Sequence, residues 1–311
     1  MTVSTGTTAL FTAPDGTTNA DKIIATSGNV AHNINRSGIA SAAYTFSVFA
    51  KAGEESVISL WLRGASVKAE FNLVSGTVSN ITTTSARIEN YGNGWYRCTV
   101  YDSTAGTTAH VYGRGGAAYA GNGSDGFYLW GAQLETGSAA TSYIPTTTAA
   151  VTRNADVINV TGAVSGCIGQ TEGTIYAEVD LRNTSSGKRL FLLSDGTTQN
   201  EIRVTSSATN AGDLQFAVRL AGTLILNAFS PTNVYSNGIF KIAAVYKSTD
   251  YALYVNGLQV LTGNAAGNIP ACNRVDIGSQ LGTSNFLNDR IRTAALYTTR
   301  LTNAELAALT T

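Results

Sequence analysis

YTFSVFAKAG, residues 44–53, alternates without interruption over its first five positions. Tyr44, Phe46 and Val48 fall on one side; Thr45, Ser47 and Lys51 fall on the other. A period of two marks a strand with one buried face. The same rhythm returns in VISLWLRG (57–64), with Ile58, Leu60 and Leu62 inward and Ser59, Trp61 and Arg63 opposite. In NYGNGWYRCTVY (90–101) the pair Asn93-Gly94 signals a tight turn. The strand after it turns Tyr96, Cys98 and Val100 inward and Trp95, Arg97 and Tyr101 outward. In YLWGAQLE (128–135) Tyr128, Trp130, Ala132 and Leu134 share one face, and Gln133 and Glu135 the other.

The second half repeats the logic with other residues. GTIYAEVDL (173–181) buries Ile175, Ala177, Val179 and Leu181, and LQFAVRL (214–220) buries Leu214, Phe216, Val218 and Leu220. FKIAAVYKSTDYALYVNGLQV (240–260) reads as strands joined by turns at Lys247–Asp250 and Asn256-Gly257, and RIRTAALYTTRL (290–301) as another strand. Only at the end does a helix signal appear, where Thr302 and Glu305 have capping-box spacing before Leu306 and Leu309. Short strands parted by Gly, Asn and Ser turns predict an all-β chain: two tandem jelly-roll β-sandwiches with one short C-terminal helix. Ser142–Ala150 has few apolar anchors; Val157, Ile158 and Val160 then recover a strand rhythm that reads as the closing strand of the first unit. The expected domains are 1–158 and 159–311.

Composition narrows the function. Charged residues make up 13% of the chain, about half the usual ~25%, and the formal net charge is zero. A neutral chain offers no electrostatic footprint for nucleic acid or an anionic membrane. No stretch approaches the ~20 apolar residues of a membrane span, and the start, MTVSTGTTALFTAPDG, lacks the basic and apolar regions of a signal peptide. The cysteines, Cys98, Cys167 and Cys272, are odd in number and far apart, which predicts buried free thiols and no disulfide framework. The chain thus reads as a product of a reducing cytosol with the composition of an exported adhesive protein. A virion protein released by lysis, or a piece of a larger exported protein, reconciles the two.

YTFSVFAKAG, GNGWYRCTV and YLWGAQLETGSAATSYIPTTTAAVTRNADVI together resemble a β-sandwich module of bacteriophage tail and virion proteins, itself similar to carbohydrate-binding jelly rolls. FTAPDGTTNADKI looks like that module's first strand region, and the likeness covers roughly residues 10–158. YALYVNGLQV, NRVDIGSQ and FLNDRIRTAALYTTRLTNAELAAL resemble the late strands and closing helix of the concanavalin A-like, laminin G-like fold, over about 170–311. These resemblances imply a phage virion setting: an appendage or fibre component on the particle surface, made in the host cytoplasm without a signal peptide. They imply other virion proteins as partners, a homo-oligomer such as a trimer, and host-surface polysaccharide as ligand. The alternative is a capsid decoration or head-fibre protein.

A non-catalytic sugar site is expected on Trp61, Arg63, Trp95, Arg97, Tyr101, Gln133 and Glu135. Aromatic faces stack on pyranose C–H faces, and the polar groups beside them bond the hydroxyls. The other reading is that these aromatics are buried against a sheet, a subunit or a neighbouring domain. A glycan hydrolase is the weaker alternative. Glu178-Val-Asp180 resembles the alternating carboxylates of laminarinase-type hydrolases, but Arg182 and Asn183 follow where a second Glu is needed. His32 and His110 lie in no catalytic motif, and the Gly-rich run 113–116 lacks the strand–loop–helix context of a phosphate loop. No cofactor is expected. Structural calcium at Asp125-Gly126 or Asp195-Gly196 competes with an ordinary turn role for those pairs.

Overall fold

The computed structural model describes every residue except 1, 5–10, 64–66, 147, 155, 163–165, 182–186, 208–211, 232 and 236–237, and only the backbone of 2–4. The chain is all-β with one α-helix among the described residues, and it forms two compact units, Met1–Thr152 and Arg153–Thr311. Arg182 and Asn183 lie outside the described residues.

The first unit holds β1 (Thr2–Ser4), β2 (Asp21–Ile24), β3 (Gly28–Ala31), β4 (Asn33–Lys51), β5 (Val57–Leu62), β6 (Lys68–Asn72), β7 (Thr77–Ser79), β8 (Ser85–Gly92), β9 (Trp95–Gly113), β10 (Ala118–Gly121) and β11 (Gly126–Thr136). Nine strands make one antiparallel sheet in the order β1-β2-β11-β4-β9-β5-β6-β7, with β8 also on β9; β3 and β10 form a separate pair. The two long strands let the sheet curl. β9 pairs β8 through residues 95–101 and β5 through 109–113, while β4 runs beside both halves. One layer is therefore β11-β4-β9-β8 and the other is β5, β6 and the end of β9. Between them pack Phe46, Val48 and Cys98 from the first layer and Ile58, Leu60 and Phe71 from the second. The Asn93-Gly94 turn has both residues at positive φ, +52° and +79°, the geometry a two-residue hairpin requires.

The alternation fails in β11. The β11–β4 register shifts between Trp130 and Gln133, where Gly131 sits at φ +60°. Phe127 and Leu129 enter the core ahead of this bulge, and Leu134 packs on the core after it. Trp130 therefore shares a face with Gln133 and Glu135, where simple alternation separates them. A bulge inserts a residue and shifts the phase of every side chain beyond it.

The second unit holds β12 (Ile158–Thr161), β13 (Glu172–Leu181), β14 (Arg189–Ser194), β15 (Glu201–Ser206), β16 (Leu214–Leu220), β17 (Thr223–Phe229), β18 (Gly238–Lys247), β19 (Tyr251–Val255), β20 (Leu258–Gly263), β21 (Arg274–Ile277), β22 (Arg290–Tyr297) and α1 (Asn303–Thr310). A six-stranded sheet, β12-β21-β14-β15-β16-β17, faces a five-stranded one, β20-β19-β18-β13-β22. Ile175, Val179 and Leu253 of one sheet pack with Phe191, Val204 and Phe216 of the other. The strand at Ile158 does not close the first unit: it pairs with β21, Ile158 opposite Ile277. Helix α1 has the capping box, Thr302 Oγ1 accepting from the Glu305 amide (3.3 Å) and Glu305 accepting from the Thr302 amide (2.7 Å). Its Leu306 buries against Tyr176, Val245 and Tyr254 on the outer face of the five-stranded sheet.

Cys98 and Cys272 are buried, and burial holds both thiols protonated, Cys272 up to about 12. Cys167 departs from expectation and is exposed. No described helix is long and apolar enough to cross a membrane.

Candidate functional site

Five of the seven expected sugar-site residues share one surface, the outer face of the layer β11-β4-β9-β8. Strand pairing sets them in rows. Trp130, Phe49, Arg97 and Glu89 stand opposite one another across the four strands; Gln133, Ser47, Thr99 and Arg87 form the next row, and Glu135, Thr45, Tyr101 and Ser85 the one beyond. Trp95 begins β9 on the same face, opposite Lys51.

This face is only partly open. Trp95 is 3% exposed and Arg97 1%. The Trp95 indole donates to the Thr12 carbonyl (3.1 Å), so the segment before β2 covers it, with Ala13 and Ala20 packed alongside. Arg97 donates to Ser47 Oγ (2.9 Å) and lies 5.3 Å from the Phe49 ring centroid. Gln133 and Glu135 serve the chain itself. The Glu135 carboxylate accepts from the Thr141 amide (3.0 Å), the Thr141 hydroxyl (2.6 Å) and the Gln133 amide (2.6 Å), while Gln133 Oε1 accepts from the Ile144 amide (2.8 Å). These two side chains fold the segment after β11 back over the sheet. Glu135→Ala strips three donors of their acceptor. It is expected to cost about 2 kcal/mol and to speed amide exchange at Thr141 and Ile144 more than elsewhere in the unit.

The returning segment brings Tyr143 to the sheet. Its ring lies 4.6 Å from Trp130 and 6.4 Å from Phe49, which also contacts Trp130 (5.2 Å) and Tyr91 (4.9 Å). Phe49 itself is buried; Trp130 and Tyr143 are half-buried, and Tyr91 is 44% exposed. Trp130 Nε1 donates to Asn19 Oδ1 (2.8 Å) at the surface. Tyr91, Trp130 and Tyr143 thus make an aromatic shelf on a Phe49 base, with Asn19 at its edge and Tyr101 half-buried further along the face. None of the three shelf residues was among the site residues expected from sequence. Alternation sets Trp130 apart from Gln133, and Tyr91 and Tyr143 lie outside any legible strand face; only the Gly131 bulge could have pointed to Trp130.

Trp61 lies elsewhere, on the outer face of the opposed layer, and Arg63 follows the end of β5 at φ +55°. Trp61 is 9% exposed. Its indole donates to Ser59 Oγ (2.6 Å), its ring centroid lies 4.1 Å from that of Tyr112, and Lys68 Nζ sits 5.4 Å from it. The turn Arg114–Gly116 closes over it: Gly116 is at φ +86°, and a Cβ there would strike the indole. His110 stacks on Tyr112, and burial lowers its pKa. Arg63 pairs with the buried Asp102 (3.4 Å).

A polar pocket of about 120 Å³ is lined by Glu55, Arg114, Tyr119 and Asp125. Its charge is largely internal, since both Glu55 oxygens accept from Arg114 Nε (2.8 and 2.7 Å). At Asp195 the carboxylate accepts from the Thr197 amide, the Thr197 hydroxyl and Asn200 Nδ2 (2.9, 2.6 and 2.7 Å). Partial burial raises its pKa, but these donors more than offset that and leave it low. Among the described residues no three of His, Cys, Asp and Glu converge as metal ligands.

In the second unit Glu178 lies on the outer face of the five-stranded sheet and pairs with Arg292 (3.2 Å). Asp180 is buried on the same side of β13.

Fold and surface thus define a two-unit β-sandwich protein. Residues 147–307 match the concanavalin A-like lectin/glucanases superfamily, and the chain belongs to that family. No curated protein matches it. Similar solved structures include the CBM40 module of the Ruminococcus gnavus IT-sialidase, at 16% identity and TM-score 0.40, covering 50% of this chain and 96% of that one. The NanB sialidase from Streptococcus pneumoniae matches at 17% identity and TM-score 0.41, over 50% of this chain and 27% of that one. A heptameric SAP-like pentraxin from Limulus polyphemus matches at 14% identity and TM-score 0.35, over 44% and 68%. At these scores none assigns this chain a ligand or a reaction.

Proposed function

We propose that the chain is a non-catalytic glycan-binding protein whose first unit takes sugar on the shelf of Tyr91, Trp130 and Tyr143. The observation that carries this reading is the shelf itself. Three aromatic rings remain partly open around a buried Phe49, on a face where Trp95 and Arg97 are covered. Ring faces of this kind suit the C–H faces of a pyranose, with Asn19 and Tyr101 in reach of hydroxyls. Membership of a lectin and glucanase superfamily, matched over residues 147–307, supports a glycan ligand for the chain through its second unit and leaves the shelf to rest on its own geometry.

The absence of catalysis is part of the proposal. Glycoside hydrolysis ordinarily needs two carboxyl groups flanking one bond. Glu178 is tied to Arg292 on the outer face of the five-stranded sheet, beside helix α1. The purified chain is expected to bind polysaccharide without releasing reducing ends; release that disappears in Glu178→Gln would make it a hydrolase.

The resemblance of 10–158 to phage virion modules supports a place on a particle surface, as an appendage in several copies. Repetition would raise weak single-site binding about 10²–10⁴-fold. One observation favours the decoration alternative. β12 is the edge of the six-stranded sheet and leaves Ile158 and Val160 each 52% exposed. An open apolar edge strand is a surface for pairing with another chain. Particles lacking this protein that adsorb normally but lose heat resistance would favour decoration.

A further inference from the structure

The outer face of the six-stranded sheet in the second unit carries buried charge, where a solvent-facing sheet normally carries small polar groups. Register sets Glu201 of β15 opposite Arg219 of β16, and Arg203, two residues on, opposite the small Ala217. Arg189 of β14 stands opposite Thr205 of the same β15. Arg189 and Arg203 are both more than nine-tenths buried, while the Arg219 side chain is 29% exposed.

The charges on this face do not balance. Arg274 and Asp276 neutralise each other through two bonds (2.7 and 2.6 Å). Glu201 bonds Arg203 and lies 3.5 Å from Arg219 Nε. Among the described residues Arg189 donates to neutral oxygens alone, Thr205 Oγ1 (3.2 Å) and Gln280 Oε1 (3.0 Å). Among the described residues three guanidinium groups therefore share one carboxylate. The Nε of Arg189, Arg203 and Arg219 are buried without an acceptor, and Glu201 Oε2 is buried without a donor. Burial and the neighbouring arginine charges lower Arg189 and Arg203 to about 10, so both are cationic at neutral pH. Buried cations without counter-charge are costly, and removing one partner of such a group is among the larger electrostatic penalties. An anion over the half-buried Arg219 offsets that cost, and the planar guanidinium fork suits a carboxylate or sulfate.

We propose that this face is an oxyanion-binding site, in which Arg219, backed by Arg203 and Arg189, takes the carboxylate or sulfate ester of an acidic polysaccharide. The site rests on the second unit alone, so it stands or falls separately from the aromatic shelf. Gln215 and Asn227, half-buried and exposed beside it, would meet sugar hydroxyls.

Calorimetric titration of the full chain tests this with three probes: a tetragalacturonate, its methyl ester and sodium sulfate. The acid is expected to bind and the ester not, with affinity falling as NaCl rises. Arg219→Gln, compared as folded protein, is expected to weaken the acid at least ~10-fold, about 1.4 kcal/mol. Arg219→Lys should recover part of the loss, and Trp130→Ala should change nothing. Sulfate binding without tetragalacturonate binding, lost in Arg219→Gln, keeps the oxyanion site but gives it a free anion as ligand. Equal binding of acid and ester, binding indifferent to Arg219→Gln, or no binding of any probe overturns the proposal.

Discussion

Trp61→Ala is expected to cost about 3–5 kcal/mol of stability and to leave glycan retention of the folded fraction unchanged. The indole is buried, bonded to Ser59, packed on Tyr112 and roofed by the Arg114–Gly116 turn. Truncation leaves a large cavity, and Gly116 at positive φ has no side chain with which to fill it. Denaturant melts give the stability and affinity electrophoresis the retention. Retention lost at unchanged stability would make Trp61 a ligand contact and move the site to the opposed layer.

Trp130→Ala is expected to do the reverse. Half-buried at the surface, Trp130 holds one edge of the shelf through Tyr143 and Phe49. Aromatic anchors at the centre of a site commonly carry about 2 kcal/mol or more, which corresponds to roughly 30-fold in affinity. The cost in stability should stay near 1 kcal/mol, because Phe49 and the Glu135–Thr141 bonds remain. Trp130→Phe should recover much of the binding, since the stacking face is kept. Equal binding by wild type and Trp130→Ala, at protein concentrations near the dissociation constant, would remove the shelf from the account.

The strands were legible because period-two alternation holds where one face is buried and no bulge intervenes, as in Phe46–Val48 and Ile58–Leu62. The turns were legible for a similar reason: Asn93-Gly94 and Asn256-Gly257 need positive φ and carry the residues that tolerate it. The site was only half legible. Alternation says which side of a strand a residue is on, but not which layer of a curled sheet that strand belongs to. Trp61 and Trp95 both point away from the core, yet β9 bends between the stretches that pair with β8 and β5, so they face opposite ways. Burial of the second face was hidden too, because the segments that cover it, 11–20 and 137–146, have no period. The buried arginines of the second unit were invisible for another reason. Arg189, Arg203 and Arg219 sit on three strands, and only the register brings them together.

The most direct test of glycan binding is a glycan array probed with the full chain, displayed multivalently, alongside Trp130→Ala and Arg219→Gln. Retention on at least one glycan class is expected, with neutral ligands lost in Trp130→Ala. A wild-type chain that retains no glycan, or retention that all three proteins share equally, would contradict it.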